Sequence, residues 1–264
     1  MAIEEILIIR NLRAYGVSAQ QSSMVIGSPA PTAFCGAAVK LCRDTGMEYV
    51  ATAIVVHAFD LDEGHGKFVP HEPDQKSAST TDIRTGTLHA SLLIRVKHDC
   101  DEKDELRKHI RRNIRNIAGG RVVTPPDLQD IVFVSEDEAL KAIRQSGDGL
   151  PLRGALMVDR SDLLVGQDDP LQTMLSLLSI PEKGETKPVK GWLVPIQMGF
   201  QGIEPPINRP CDRKKLNDPT PHSFAECITG IGEYVSIRRI RTLQNSFWQY
   251  THNSSERTYY VSAR

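Results

Sequence analysis

Residues 87–96 read Thr-Leu-His-Ala-Ser-Leu-Leu-Ile-Arg-Val. Leu88, Ala90, Leu92, Ile94 and Val96 fall on one side, and Thr87, His89, Ser91, Leu93 and Arg95 on the other. A period of two spells a strand with one apolar face. Residues 101–117 follow as Asp-Glu-Lys-Asp-Glu-Leu-Arg-Lys-His-Ile-Arg-Arg-Asn-Ile-Arg-Asn-Ile. Leu106, Ile110, Ile114 and Ile117 recur at spacings of four and three, the apolar stripe of a helix. Acids fill its first turns and bases its last, as the helix dipole favours. Gly119-Gly120 then reads as the helix end, and Arg121-Val122-Val123 restarts extended chain.

Upstream, Glu4 to Leu12 reads as a buried strand and Arg13 to Pro31 as a long polar loop. Prolines at 29 and 31 suit a helix entry, with Thr32 as its cap. Phe34, Ala37, Ala38, Leu41 and Cys42 keep helical spacing as far as Gly46, and Cys35 and Cys42 share one face as small core residues. Tyr49 to Phe59 reads as a strand, with Val50, Ile54 and Val56 on one side. Asp60 to Asp82 is a long polar loop expected to order only against a partner. The order is strand, helix, strand, strand, helix, strand. That is the βαββαβ core of the ferredoxin-like (RRM-like) α+β fold, assigned to residues 1–135. Residues 136–264 form an elaborated second half packed on it.

That second half opens with a strand at Asp130–Val134 and a helix at Glu136–Gln145. Extended chain at Arg153–Arg160, a helix at Pro170–Leu178 and a charged linker at Pro181–Lys190 follow. Trp192–Met198 is a strand, and Gln201–Pro221 a proline-rich loop holding Arg209, Arg213, Lys214 and Lys215. Ala225–Val235 is apolar and punctuated by glycine. Ile237–Phe247 reads as a helix exposing Arg238, Arg239 and Arg241. Trp248–Thr251 and Thr258–Ser262 pair as a terminal hairpin.

The chain has 264 residues, 25% charged and 40% hydrophobic, with a formal charge of −1. No global field draws it to nucleic acid, so any such surface must be a local concentration of Lys and Arg. No apolar run approaches the ~18 residues of a membrane span. Five cysteines without CxxC spacing point to reduced thiols in a cytoplasm. His57 and His89 sit in strands, and His65 and His71 in the long loop. None has metal-ligand spacing, and there is no P-loop and no GxSxG, so no catalytic residue, metal or cofactor is expected.

Three basic groups stand out. Arg107, Arg111 and Arg115, beside Lys108 and Arg112, line one helix face, either a solvated surface or a phosphate contact. Arg121 follows bare glycine backbone, where a phosphate can approach and be clamped. Arg238, Arg239 and Arg241 with Trp248 and Tyr250 combine cations and stacking surfaces, the mixture used on single strands. The alternative there is a plain surface helix over buried aromatics.

Several strings together resemble one family. Gly27-Ser-Pro-Ala-Pro-Thr-Ala-Phe-Cys-Gly (27–36) is similar to the segment after the first strand of the RAMP-type subunit of the type I-F CRISPR Cascade, the Csy complex. His89-Ala-Ser-Leu-Leu-Ile (89–94) resembles its central strand, and Ala118-Gly-Gly-Arg-Val (118–122) its glycine turn. Gly154 to Leu164, Leu193 to Phe200, Gly232 to Arg239 and Trp248-Gln-Tyr continue the series in family order. The resemblance implies a modified RRM-like fold of the RAMP superfamily and a non-catalytic role. One copy would cap the 5′ handle of a CRISPR RNA beside the large subunit and the first backbone subunit, meeting target DNA only through the complex. The residues expected at RNA are Ser28, Thr32, Arg111, Arg115, Gly119, Gly120, Arg121, Arg153, Arg238, Arg239, Arg241 and Trp248. The alternatives are a repeated backbone subunit and a RAMP-type endoribonuclease using His57 or His89 as general acid or base.

Overall fold

A computed structural model describes residues 3–22, 25–62, 84–99, 102–179, 191–207, 221 and 223–263. The first half runs β1 (Ile3–Ser18), α1 (Pro31–Thr45), β2 (Glu48–Leu61), β3 (Thr85–His98), α2 (Lys103–Asn113), β4 (Asn116–Ile117), β5 (Gly120–Thr124) and β6 (Ile131–Val134). β3 pairs antiparallel with β1 on one side and β2 on the other. The far edge of β1 pairs antiparallel with β5 and with β6, which gives the order β2-β3-β1-β5-β4.

Helices α1 and α2 cover one face of this sheet. Phe34, Ala38 and Leu41 of α1 and Leu106 and Ile110 of α2 join Leu7, Ile9, Leu12, Leu88, Leu92 and Ile94 in one cluster. Cys35 and Cys42 are buried in it, as their spacing implied. The strand at 87–96 is not one-sided, because Leu93 is buried on the opposite face under α3 (Glu136–Ala142) and residues 237–247. Val50 also packs on that second face, away from Ile54 and Val56, because a bulge between Tyr49 and Ala51 resets the alternation.

Several boundaries differ from the sequence reading. β1 runs to Ser18, so the first part of the expected loop from Arg13 is strand. Its alternation is hidden by bulges between Ile9 and Leu12 and between Ala14 and Val17. The N-cap of α1 is Ala30, with Pro31 as first residue, so Thr32 lies inside the helix and caps nothing. α2 stops at Asn113, not Ile117. Ala118 (φ +49) and Gly119 (φ +80) then make the tight turn of the β4–β5 hairpin. Left-handed φ at both positions suits that turn's twist, so the glycine pair ends a hairpin and not a helix.

The second half continues with β7 (Ala155–Asp159), α4 (Pro170–Leu178), β8 (Trp192–Gly202), β9 (Ala225–Ser236), β10 (Trp248–Asn253) and β11 (Thr258–Ala263). The expected terminal hairpin is present, from Trp248↔Ala263 to Asn253↔Thr258. The segment 237–247 is a run of turns instead of a helix. Ile237, Ile240, Leu243 and Phe247 are buried at helical spacing. The backbone bonds outward, however: Arg144 donates to the carbonyls of Ile237 (3.1 Å) and Ile240 (2.7 Å), and the Ile237 N–H donates to Gly154 (3.0 Å). Those bonds satisfy groups that a helix would otherwise pair internally. β2 runs to Leu61, so the expected loop from Asp60 to Asp82 begins as strand; its residues 63–82, the linker at 181–190 and the basic cluster at 209–215 lie outside the described residues.

The halves share one sheet. β7 pairs with the outer edge of β2 at Val55↔Leu156 and Val56↔Ala155. From β7 the path runs β9, β8, β11 and β10, and β10 returns to the same edge of β2 at Trp248↔Thr52. Trp248 is fully buried at this closure, and its indole N–H donates to the Met157 carbonyl at 3.2 Å. Its own carbonyl accepts from the Tyr49 hydroxyl at 3.2 Å and the Cys35 thiol at 3.7 Å.

Trp248→Ala should lower stability by about 3–5 kcal/mol, the cost of emptying a large core site. Urea denaturation followed by circular dichroism measures it. A loss below about 1 kcal/mol would mean that the ring closes without the indole.

Candidate nucleic-acid interface

The expected RNA residues fall in three places. Arg111, Arg115, Gly119 and Arg121 gather at the β4–β5 edge and the end of α2, and all four are exposed. α2 begins with its own ion pairs, Asp104–Arg107 at 2.9 Å and Glu105–Lys108 at 2.6 Å. The cations of its last turn, Arg111 and Arg112, form no salt bridge among the described residues, nor do Arg115 and Arg121. Arg115 lies past the helix, so the i, i+4, i+8 row is broken; its guanidinium bonds the Arg112 carbonyl at 2.5 Å. Arg115, Asn116, Arg121, Val123 and Pro125 line a cavity of about 370 Å³ that contains no carboxylate.

Gly120 does not offer open backbone to a phosphate. It is buried, and a Cβ there would meet the Tyr15 carbonyl and the Val17 N–H at 2.7 Å. The residue is glycine because β5 presses on β1. Gly119 is the open one, with nothing within 4 Å of the same position.

The second place joins Arg153 to the 238–241 turns. All four arginines are exposed, and the Ile237 N–H to Gly154 bond brings them together. Trp248 does not join them, because a fully buried indole has no face to offer a base. The exposed tryptophan is Trp192, at 75%, beside Arg239 and Tyr234 in a cavity of about 500 Å³. The Gly191 N–H beside it donates to the buried Glu233 carboxylate at 2.8 Å, a link that the sequence does not show.

The third place is the entry to α1. Ser28 is half-buried, and its carbonyl accepts from Gln21 at 2.6 Å. Its hydroxyl has no well-formed hydrogen bond, although it lies close enough to lower the pKa of the Tyr234 hydroxyl, which burial raises to about 12. The carbonyl of Thr32 accepts from Tyr250 at 3.1 Å.

A polar chain crosses the uncovered part of the second sheet face. A bulge between Val56 and Ala58 turns His57 onto it. His57 Nδ1 donates to the Arg153 carbonyl at 2.5 Å, and Nε2 accepts from the Ser91 hydroxyl at 2.6 Å. Those partners fit the neutral ring. Ser91 Oγ also accepts from the Asn11 N–H at 3.3 Å. Asn11 accepts from His89 at 3.3 Å and donates to Asp130 at 3.1 Å, and Asp130 in turn holds the Gly147 N–H at 2.8 Å. Burial lowers the pKa of His57; burial, then His57 and Arg13, lower that of His89 to about 4. The Ser91–His57 contact resembles a nucleophile with its base, but Ser91 is 1% exposed and unreachable by a substrate.

A family model described as "CRISPR-associated protein (Cas_Csy2)" matches residues 7–261. The chain is also similar to "CRISPR-associated protein Csy2" from Pseudomonas aeruginosa (strain UCBPP-PA14), 24% identical over 311 residues, covering 97% of this chain and 94% of the relative. The aligned stretch exceeds the 264 residues present here, so the relative carries segments that this chain lacks.

Depressed histidine pKa values make stability pH-dependent. Between about 4 and 6.5 the unfolded chain binds more protons at His89 than the folded one, so stability rises with pH through that window. It is fully present above about 6.5 and lost as pH falls through about 4. The urea midpoint should therefore drop between pH 7 and pH 5, and His89→Gln should flatten the dependence. An equal slope in that variant would assign the effect to other groups.

Proposed function

The chain belongs to the Cas_Csy2 family of CRISPR-associated proteins, and from that premise we propose that it is a non-catalytic, CRISPR RNA-binding subunit of a type I-F Cascade that caps the 5′ handle. The observation that carries this reading is the extent of the match, which runs through both halves and not one module of the chain. The strand order β2-β3-β1-β5, with α1 and α2 on one face, supports a ferredoxin-like core of the RAMP type. The large subunit and the first backbone subunit are the expected neighbours, with target DNA reached through the complex.

The site supports binding over cleavage. Acid–base catalysis needs a histidine within reach of the substrate and titrating near neutrality. His57 is engaged at both ring nitrogens and His89 titrates near 4. The exposed arginines at the β4–β5 edge and at 153 and 238–241 suit phosphates, which carry affinity without chemistry.

Purifying the complex through a tag on this chain tests the proposal. One copy per complex is expected, with the RNA protected from nuclease at its 5′ end. Several copies would favour the repeated backbone subunit. Repeat RNA should survive incubation with the protein, and cleavage abolished by His57→Ala or His89→Ala would establish an endoribonuclease. Arg115→Ala should weaken binding and flatten the slope of log affinity against log salt by about 0.7 for the lost phosphate contact.

A further inference from the structure

Two in-register rows of side chains cross the outer face of the first-half sheet. Tyr15 pairs with Arg121, which pairs in turn with Asn116, so β1, β5 and β4 contribute one residue each. Beside that row, Arg13 lies between His89 on β3 and Thr124 on β5. The neighbours Ala14, Ile117, Gly120 and Val122 are buried on the opposite side, so the rows face away from α1 and α2. Tyr15 is 55% exposed. A bulge between Ala14 and Val17 lifts it out, and Gly16 (φ +66) adopts the left-handed backbone that the bulge requires. The close approach of β5 to β1 at Gly120 sets Arg121 against this tyrosine.

Charge decides the occupant. Arg13 and Arg121 form no salt bridge among the described residues, and Arg115 joins Arg121 at the carboxylate-free cavity next to the row. Carboxylates lie at the other end: Asp60 is in register on β2 beyond Thr87, and Asp127, Asp130 and Asp148 line a cavity with Arg13 and Thr124, so the carboxylate-free end is that of Arg121. One exposed aromatic beside the Arg121 and Arg115 guanidinium groups of the carboxylate-free cavity, with amide and hydroxyl side chains between, matches a single strand of nucleic acid: a base has a face to stack and its phosphates need cations. A protein partner would need a carboxylate and a stacking side chain placed together here, whereas every nucleotide supplies a phosphate and a base.

We infer that this face is a platform for a single-stranded segment of the RNA, with Tyr15 stacking on one base and Arg13 and Arg121 holding the phosphates on either side. The inference rests on the RNA-binding reading above and adds to it a residue, Tyr15, that reads the base face.

The test uses the assembled complex and synthetic CRISPR RNAs carrying 2-aminopurine at successive positions of the 5′ handle. In the wild-type complex one position should be quenched by stacking. Tyr15→Ala should restore its emission and weaken RNA binding roughly 5- to 100-fold, while Tyr15→Phe keeps the quench. Arg13→Gln and Arg121→Gln should flatten the salt slope and leave the quench in place. Unchanged emission and affinity in Tyr15→Ala, in a complex whose wild type binds the RNA, overturns the platform and leaves the handle-capping role intact. Loss of a protein subunit from Tyr15→Ala with RNA binding unchanged also overturns it, assigning the face to a protein. A wild-type complex without RNA overturns both readings. Thermal melting of each variant separates these outcomes from unfolding, because an exposed ring contributes little to the core.

Discussion

One edge of β2 serves two partners, and the second half of the molecule depends on that division. β7 takes the edge at Val55 and Val56, and β10 takes it at Thr52. A strand offers one row of backbone donors and acceptors per edge, so the two must approach without overlapping. Trp248 makes this possible. Its ring fills the space between β2, β7 and α1, while its indole nitrogen and its carbonyl meet partners from β7, β2 and α1. A second group locks the same corner from the other side. Asp159 at the end of β7 accepts from the Ala263 N–H at 3.0 Å, and Arg160 pairs with the buried Glu233 of β9 at 2.5 Å. β7, β9 and β11 therefore converge on two adjacent residues. A buried pair of this kind fixes geometry more than it adds stability.

The sequence made the first half readable because its signals are periodic. Alternation from Leu88 to Val96 and the stripe through Phe34, Leu41 and Cys42 both report burial, and burial is what the structure shows. Alternation fails wherever a bulge intervenes. β1 carries two bulges, so Arg13 to Ser18 reads as loop although it is strand, and Tyr15 was passed over with it. Spacing fails where backbone bonds leave the segment: residues 237–247 bury Ile, Ile, Leu and Phe at helical intervals without forming a helix. Apolar spacing records which side chains face inward, and the identity of the hydrogen-bond acceptor decides the conformation. For the same reason Trp248 could not be distinguished from Trp192, since exposure of a lone tryptophan depends on strands distant in sequence.

Electrostatics at the candidate interface follow from local arrangement, not from bulk charge. The chain is nearly neutral overall, with 32 basic and 33 acidic residues. α2 separates its charges along its length: its early acids pair with Arg107 and Lys108, and Arg111 and Arg112 near the helix C-terminus form no salt bridge among the described residues. Arg115 and Arg121 extend this positive ground to the sheet edge. Phosphate binding at such a place is steep in salt, because each contact releases condensed counterions. The inner histidines lie on the same face but play a different part. Biased to the neutral form by burial, they add hydrogen bonding without adding charge.

The circuit β2-β7-β9-β8-β11-β10 has a consequence for assembly. A sheet grows by offering an unpaired strand edge to a neighbour, and long exposed edges invite strands from other chains. Here the far end of the sheet is folded back onto its own second strand. At the other end the path stops at β4, two residues long, and the adjoining β6 has four. Neither end offers a long edge, and within the path β9 pairs with β8 alone over Ala225–Gly230. At the two ends of the path a neighbour would be met by side chains and loops, which can recognise one partner without propagating to the next.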